Sequence, residues 1–419
     1  MRPLTFPGAL FAFLACGPGT ASGTAQVTDS AGVRIVTSTS GDLVYARLAD
    51  EPALRIGALD GPDAFLFERI VSVARDVEGD IVVADAGPLE VRVFDDEGNH
   101  LRTMGGRGEG PGEFRGFDGV WTAPDRSIVV VYGFPPATIV HFGTDGSVVG
   151  QARLTGVMAS PPPFLHPLGL VGAGQLLSSV EHLVLEDHRE PFRAPVVFVR
   201  HGFDGVLLDT IASLPGQPGT VLVAPNRTDA GMGLPSLPMS AGPTAAGSAD
   251  GIALTGGELF EVRFLDKSGS VSRIARLAEA PPVRTDAHVE AYVASMVRST
   301  VERFGDSFED FFPGGEERML REQRDLYQSL PLLERLPGYV RLLFSDTGNL
   351  WALRYDPPGA PVRRWDVFGE DGTHLGAVDV PASLRVYGIS HGQLFGVTRD
   401  ELDVQHVEVR SLDLLDRSR

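Results

Sequence analysis

A short phrase recurs six times along this chain, and it constrains the fold more than any other feature. It is a turn of Asp, Gly or Ser type followed by an aliphatic residue that opens a strand. It reads Glu78-Gly79-Asp80-Ile81, Asp125-Arg126-Ser127-Ile128, Ala173-Gly174-Gln175-Leu176, Ala249-Asp250-Gly251-Ile252, Thr347-Gly348-Asn349-Leu350 and His391-Gly392-Gln393-Leu394. A second phrase falls later in the units: an aromatic, an acidic turn, then Gly. It occurs at Phe94–Gly98, Phe142–Gly146, Phe203–Gly205, Phe264–Gly269 and Phe368–Gly372. Both are hairpin chemistry, in which Asp or Asn ties the turn backbone and Gly accepts a positive φ at no steric cost.

The segments between the turns alternate or run β-branched, as in Ile81-Val82-Val83, Val91-Arg92-Val93-Phe94 and Ile128-Val129-Val130-Val131. Each unit therefore reads strand–turn–strand–loop–strand–turn–strand. Six such units arranged radially make a β-propeller, an all-β fold whose sheet edges are short and protected. Gly and Pro, 50 and 31 of 419 residues, suit that density of turns.

How the ring closes is also legible. The linker Gly106-Arg107-Gly108-Glu109-Gly110-Pro111-Gly112-Glu113-Phe114 has a counterpart in Gly57–Phe65, with Gly, Pro and Phe at the same offsets. Residues 53–57 then read as the last strand of a blade that nothing precedes. At the other end, the sixth unit stops after its third strand, Val407–Arg410. The expectation is a six-bladed propeller whose sixth blade is completed by Leu54–Ile56, in one domain over residues 26–419.

The Gly-Pro-Gly-Glu-Phe linker, the Val82-Val83-Ala84-Asp85 strand end and the Val91–Asp95 strand resemble NHL repeats. From about residue 30 to 413 the chain is similar to NHL-like six-bladed propellers exported by bacteria as lipoproteins. Units three and four are degenerate and carry long insertions. The resemblance implies a scaffold and an export route, and brings no catalytic residues with it.

Residues 1–25 differ from the rest. Arg2 is the only charge before Asp29, and Ala9–Ala15 is an apolar run too short to span a bilayer but suited to an export signal. Cleavage after Gly23-Thr24-Ala25 competes with cleavage before Cys16, where Phe13-Leu14-Ala15-Cys16 resembles the lipoprotein box. Cys16, the only cysteine, is the candidate acylation site, and the mature chain has no thiol chemistry.

Residues 283–337 break the β pattern. Val289, Val293, Met296, Val297, Val301 and Phe304 follow helical spacing behind Thr285 or Asp286, and a second helix spans Glu316–Ser329. This insertion between blades four and five decorates a blade loop or covers one mouth of the central channel.

Acids outnumber bases 55 to 36, a net charge of −19 with no Lys/Arg block, which argues against nucleic acid and against an anionic membrane surface. Any membrane contact runs through an N-terminal lipid. Gly388-Ile389-Ser390-His391-Gly392 fits the hydrolase nucleophile elbow, but that elbow needs a following helix and this one enters a strand. Glu181-His182 and Glu186-Asp187-His188 form the densest His/carboxylate cluster, explained as well by a solvated loop as by a metal. Trp121, Trp351 and Trp365 fall at strand positions suited to packing between blades.

The expectation is a monomeric, non-enzymatic module of the cell envelope with no cofactor, binding a protein, a carbohydrate or a small ligand at the channel mouth. Arg107, Glu109 and Glu113 in the linker are the candidate contacts. The alternative is a metal-assisted hydrolase or lyase, since other six-bladed propellers host lactonases and amidating lyases.

Overall fold

The apolar runs become the second strands of their sheets. Ile81–Asp85 and Ile128–Tyr132 are buried at every position, because a propeller blade is covered on both faces by its neighbours. The structure, a computed structural model, describes residues 25–39, 41, 43–133, 137–157, 164–172, 174–181, 192–222, 232–234 and 236–415. It is a six-bladed β-propeller.

Blade one runs Ile70–Arg75, Ile81–Asp85, Glu90–Phe94 and His100–Gly105. Blade two runs Gly119–Thr122, Ile128–Tyr132, Thr138–Phe142 and Val148–Arg153. Blade three follows with Phe164–Val171, Gln175–Glu181, Pro195–Gly202 and Leu207–Pro215. Blade four comprises Thr244–Gly247, Ile252–Thr255, Glu261–Leu265 and Val271–Leu277. Blade five comprises Tyr339–Phe344, Leu350–Arg354, Val362–Phe368 and His374–Pro381. Blade six supplies Arg385–Ser390, Gln393–Arg399 and Gln405–Leu414 from the C-terminal end.

Leu54–Ile56 is the fourth strand of blade six, antiparallel to its third, with Ile56 opposite Val407 and Leu54 opposite Val409. The two ends of the chain thus close one sheet. Ile56 is 2% exposed, and burying a side chain of that size contributes about 1.5–3 kcal/mol. The seam between blades six and one is stitched by hydrogen bonds as well. The Tyr387 hydroxyl donates to Val71 O (2.9 Å), and the Ile70 amide donates to Gln405 Oε1 (2.6 Å).

Upstream of that strand the chain forms a belt that the repeats do not announce. Val33–Ser38 adds in parallel to the outer strand of blade four, and Ala25–Ser30 pairs back on it. Val44 bridges Ala377 on blade five, and Ala46–Leu48 pairs with Leu412–Leu414.

Each pair of neighbouring blades shares an apolar cluster, six in all, from Val82, Phe114 and Val130 between blades one and two to Ile56, Phe94 and Val407 at the seam. A β-bulge recurs in the innermost strands of blades one, three, five and six, leaving Val71, Leu168, Val340 and Tyr387 as the extra residues.

The insertion forms helices Asp286–Phe304 and Gly315–Ser329 with a short turn, Phe308–Phe311, between them. The Thr285 amide donates to His288 Nδ1 (3.0 Å) at the first helix start. Val289, Val293, Val297 and Tyr327 pack with Met239 and Tyr355, on the flank of blades four and five. None of the described residues lining the central channel comes from this insertion.

Candidate functional site

In a ring of antiparallel blades all innermost strands start at one end of the channel and turn back at the other. The first is called the linker end here, the second the hairpin end. The channel encloses a cavity of about 1080 Å³, lined by the innermost strands of all six blades.

At the hairpin end stand Asp250 and Asp346, on turns between first and second strands, and Asp266 and Glu370, on turns between third and fourth. Arg75 and Arg273 are among them. Burial lowers the Arg75 guanidinium, while Asp96, Asp346 and Asp76 pull it back up. It is tied to Gln393 Oε1 (2.8 Å) and Gly79 O (3.1 Å). Arg273 lies over the Phe264 ring at 4.3 Å; burial lowers it too, and Asp371 and Glu370 act against that. Cations here have acids around them.

The linker end is built otherwise. Arg341 and Arg385, from blades five and six, flank the Tyr387 ring at 5.8 and 5.1 Å. Arg341 Nη1 donates to Val386 O (2.6 Å). Burial and the like charges of Arg385 and Arg363 push its guanidinium down to about 10. Burial also raises the Tyr387 phenol. On the opposite wall the Asp118 carboxyl is raised by burial, partly offset by His166. Trp121 lines the cavity beside it, whereas Trp351 and Trp365 are each 1% exposed between blades.

The linker candidates lie elsewhere. Arg107 Nη2 donates to Gly87 O (3.3 Å), Glu113 Oε2 accepts from the Gly110 amide (2.8 Å), and Glu109 pairs with Arg115. The linker is clamped by Phe114, fully buried, whose amide donates to Gly106 O (2.8 Å). Gly105, just before the linker, has room only for glycine: its φ is +88°, and a Cβ there would stand 2.2 Å from the Phe114 ring. So the structure brings Arg107, Glu109 and Glu113 into one turn, and none of the three lines the channel.

Gly388–Gly392 is a hairpin: Ser390 ends one strand, Gln393 begins the next, and His391 and Gly392 take φ of 55° and 67° in the turn. No helix follows, so the serine is not lifted as an elbow requires. Of the His/carboxylate cluster only Glu181 lies within the described residues; His182, Glu186, Asp187 and His188 lie outside them, as does Cys16. Among the described residues no helix is long and apolar enough to cross a membrane.

Sequence reasoning missed the channel arginines. Arg75, Arg341 and Arg385 lie in the innermost strands of three different blades and Arg273 in an outer strand of blade four; the only signal was an arginine inside an otherwise apolar strand shortly before a turn phrase, as Arg341 precedes Thr347-Gly348.

Residues 55–160 match a family described as a 6-bladed β-propeller, DUF5128. No curated protein matches the chain. Among solved structures, a Bacteroides fragilis protein named as exported is 12% identical, with 87% of this chain and 97% of that one covered and a TM-score of 0.45. A duf4221 family member from Bacteroides vulgatus is 8% identical, covering 88% and 99%, TM-score 0.46. A catalytically inactive virginiamycin B lyase from Staphylococcus aureus, with quinupristin, is 11% identical, covering 94% and 100%, TM-score 0.38.

Proposed function

We propose that this chain is a monomeric, non-enzymatic binding propeller of the cell envelope, NHL-like in its repeats, and that its ligand sits in the central channel. Residues 1–25 carry it out of the cytoplasm, and Cys16 tethers it. The observation that carries the reading is the channel, a cavity of about 1080 Å³ with Trp121 and Tyr387 beside arginines and acids. Small-ligand sites combine such a volume with aromatic walls and a few placed polar groups. Arg107, Glu109 and Glu113 are engaged within their linker and enter the proposal only as rim contacts.

Native mass spectrometry tests it. The purified chain, equilibrated with an envelope extract, retains an adduct, and Thr244→Trp, at a channel-lining position, loses it. No adduct, or one that survives Thr244→Trp, overturns the reading. For the address, the mass of the N-terminal peptide from the membrane fraction separates an acylated Cys16 from a free Gln26.

A further inference from the structure

The channel's charges are sorted along its axis: of the lining acids, Asp250, Asp266, Asp346 and Glu370 stand at the hairpin end and Asp118 at the other. At the hairpin end Arg75 and Arg273 each have acids close enough to act on them. At the linker end Arg341 is acted on by the Tyr387 phenol, which favours its charge, and by two more arginines, Arg385 and Arg363, which oppose it. Arg69 and Arg385 line a second cavity, of about 530 Å³, between blades six and one. Arg69 precedes an innermost strand, Arg385 opens one, and Arg363 lies near the start of a third strand, so all three belong to the linker end.

Among the described residues none of Arg69, Arg341, Arg363 and Arg385 is in an ion pair. Asp356 and Asp379 stand behind Arg363, where Arg363 acts to lower the half-buried Asp356 carboxyl. Asp118 is on the far wall, in blade two.

Of the four only Arg341 is withdrawn from solvent, while Arg69, Arg363 and Arg385 are exposed around it. Like charges gathered around a buried guanidinium repel it, and an anion from outside relieves the arrangement. In a chain of net charge −19 the mean field repels anions, so a cationic cluster in which no arginine is ion-paired acts as a local trap. Arginine suits that role, since its planar fork grips a carboxylate or phosphate through two parallel hydrogen bonds. Arg341 spends one donor on Val386 O, and both Arg341 and Arg385 lie against the Tyr387 ring.

We infer that the linker end of the channel binds a small anion bearing two or more carboxylate or phosphate groups, gripped by Arg341 and Arg385 beside Tyr387, with Arg69 and Arg363 at the rim. This rests on the reading of the channel as a binding site, and narrows its ligand to one chemical class.

Calorimetric titration of the purified chain with citrate, pyrophosphate and neutral glucose tests it. Citrate or pyrophosphate binds and glucose does not; citrate alone assigns carboxylates, and pyrophosphate alone assigns phosphates. The affinity falls as salt is raised, and R341Q/R385Q weakens it by about tenfold or more, with lysine at both positions recovering part. Arg363→Gln replaces an exposed side chain, so its fold is not at risk, and it weakens binding by about two- to fivefold. The inference is overturned if neither anion binds, or if both sets of variants bind as tightly as the parent. If the channel retains a neutral adduct from envelope extract while both anions fail, this inference falls and the binding reading stands. If nothing is retained either, both fall.

Discussion

Blades one and five solve one packing problem with opposite charges. In each, the last residue of the second strand meets a residue of the third strand that sits opposite the second strand's middle. Blade one places Asp85 and Arg92 there, Arg92 opposite Val83; blade five places Arg354 and Asp366, Asp366 opposite Ala352. The ion pairs are 3.6 and 2.6 Å, and both carboxylates are 0% exposed.

The surroundings explain the reversal. Around Asp85 the unsatisfied groups are backbone amides: it accepts from Glu68 (3.1 Å), Arg69 (2.8 Å) and Gly87 (3.2 Å), while Arg92 holds Leu66 O (2.7 Å) and Glu90. Around Asp366 they are side chains, the Tyr339 hydroxyl (2.8 Å), Arg354 Nε (2.6 Å) and His374 Nε2 (3.0 Å). Tyr339 occupies the place of Ile70, each pairing with the last residue of the second strand. His374 occupies the place of His100, each opposite the phenylalanine that ends the third strand. His100 is exposed and His374 is 4% exposed, because the N-terminal belt covers blade five, where Ser38 Oγ accepts from the His374 amide (3.2 Å). The belt thus lies over the blade whose carboxylate takes a buried imidazole as a partner.

The strongest way to break this comparison is Asp366→Ala. It leaves a buried hydroxyl and a buried imidazole without their acceptor and Arg354 with only Glu279, at a cost of about 3–5 kcal/mol in denaturant unfolding. The acid dependence follows from the same bonds. Burial alone would raise the Asp366 carboxyl, but His374 and Arg354 outweigh it and hold it below the usual carboxylate range. A depressed folded-state value means stability present at neutral pH and lost on acidification. The gap between the parent and Asp366→Asn is therefore full at pH 7 and shrinks below about pH 4. A gap that does not change with pH would separate the network from this titration.

Asp85→Ala is expected to cost less, about 2–3 kcal/mol, because Arg92 keeps Glu90 and Leu66 O and the released amides lie on a linker near water. Its signature is local: hydrogen exchange at Glu68 and Arg69 accelerates more than in the blade-five strands. Equal acceleration in both blades would mean that the two slots are one cooperative unit.

The sequence made the regular parts of this contrast readable and hid the rest. Turn phrases mark where each second strand begins, so Asp85 and Arg354 can be numbered alike, and the missing fourth strand of blade six points to Leu54–Ile56. The insertion's helices follow from apolar spacing, Val289, Val293 and Val297 in the first and Met319, Leu320, Leu326 and Tyr327 in the second. The belt at 25–48 escaped, because a strand added in parallel to an outer edge has no hairpin turn to announce it. The linker-end arginines escaped for a related reason. Arg341, Arg363 and Arg385 come from strands of two successive blades, and ring closure between blades six and one brings Arg69 to Arg385. Local turn chemistry is written in neighbouring residues; a site assembled by a ring is not.

The smallest change sharpens the comparison most. Tyr339→Phe makes blade five resemble blade one at that position, exchanging a hydroxyl for an apolar edge as at Ile70. Asp366 keeps Arg354 and His374, so the loss is that of one satisfied hydrogen bond to a charged acceptor, about 1.5–2 kcal/mol. If blade five depends on side-chain donors as a set, the double variant Tyr339→Phe with His374→Phe costs more than the two single changes together, since Asp366 is then left with Arg354 alone. If the costs merely add, Arg354 suffices, and the covering belt rather than the donor set keeps the carboxylate in place.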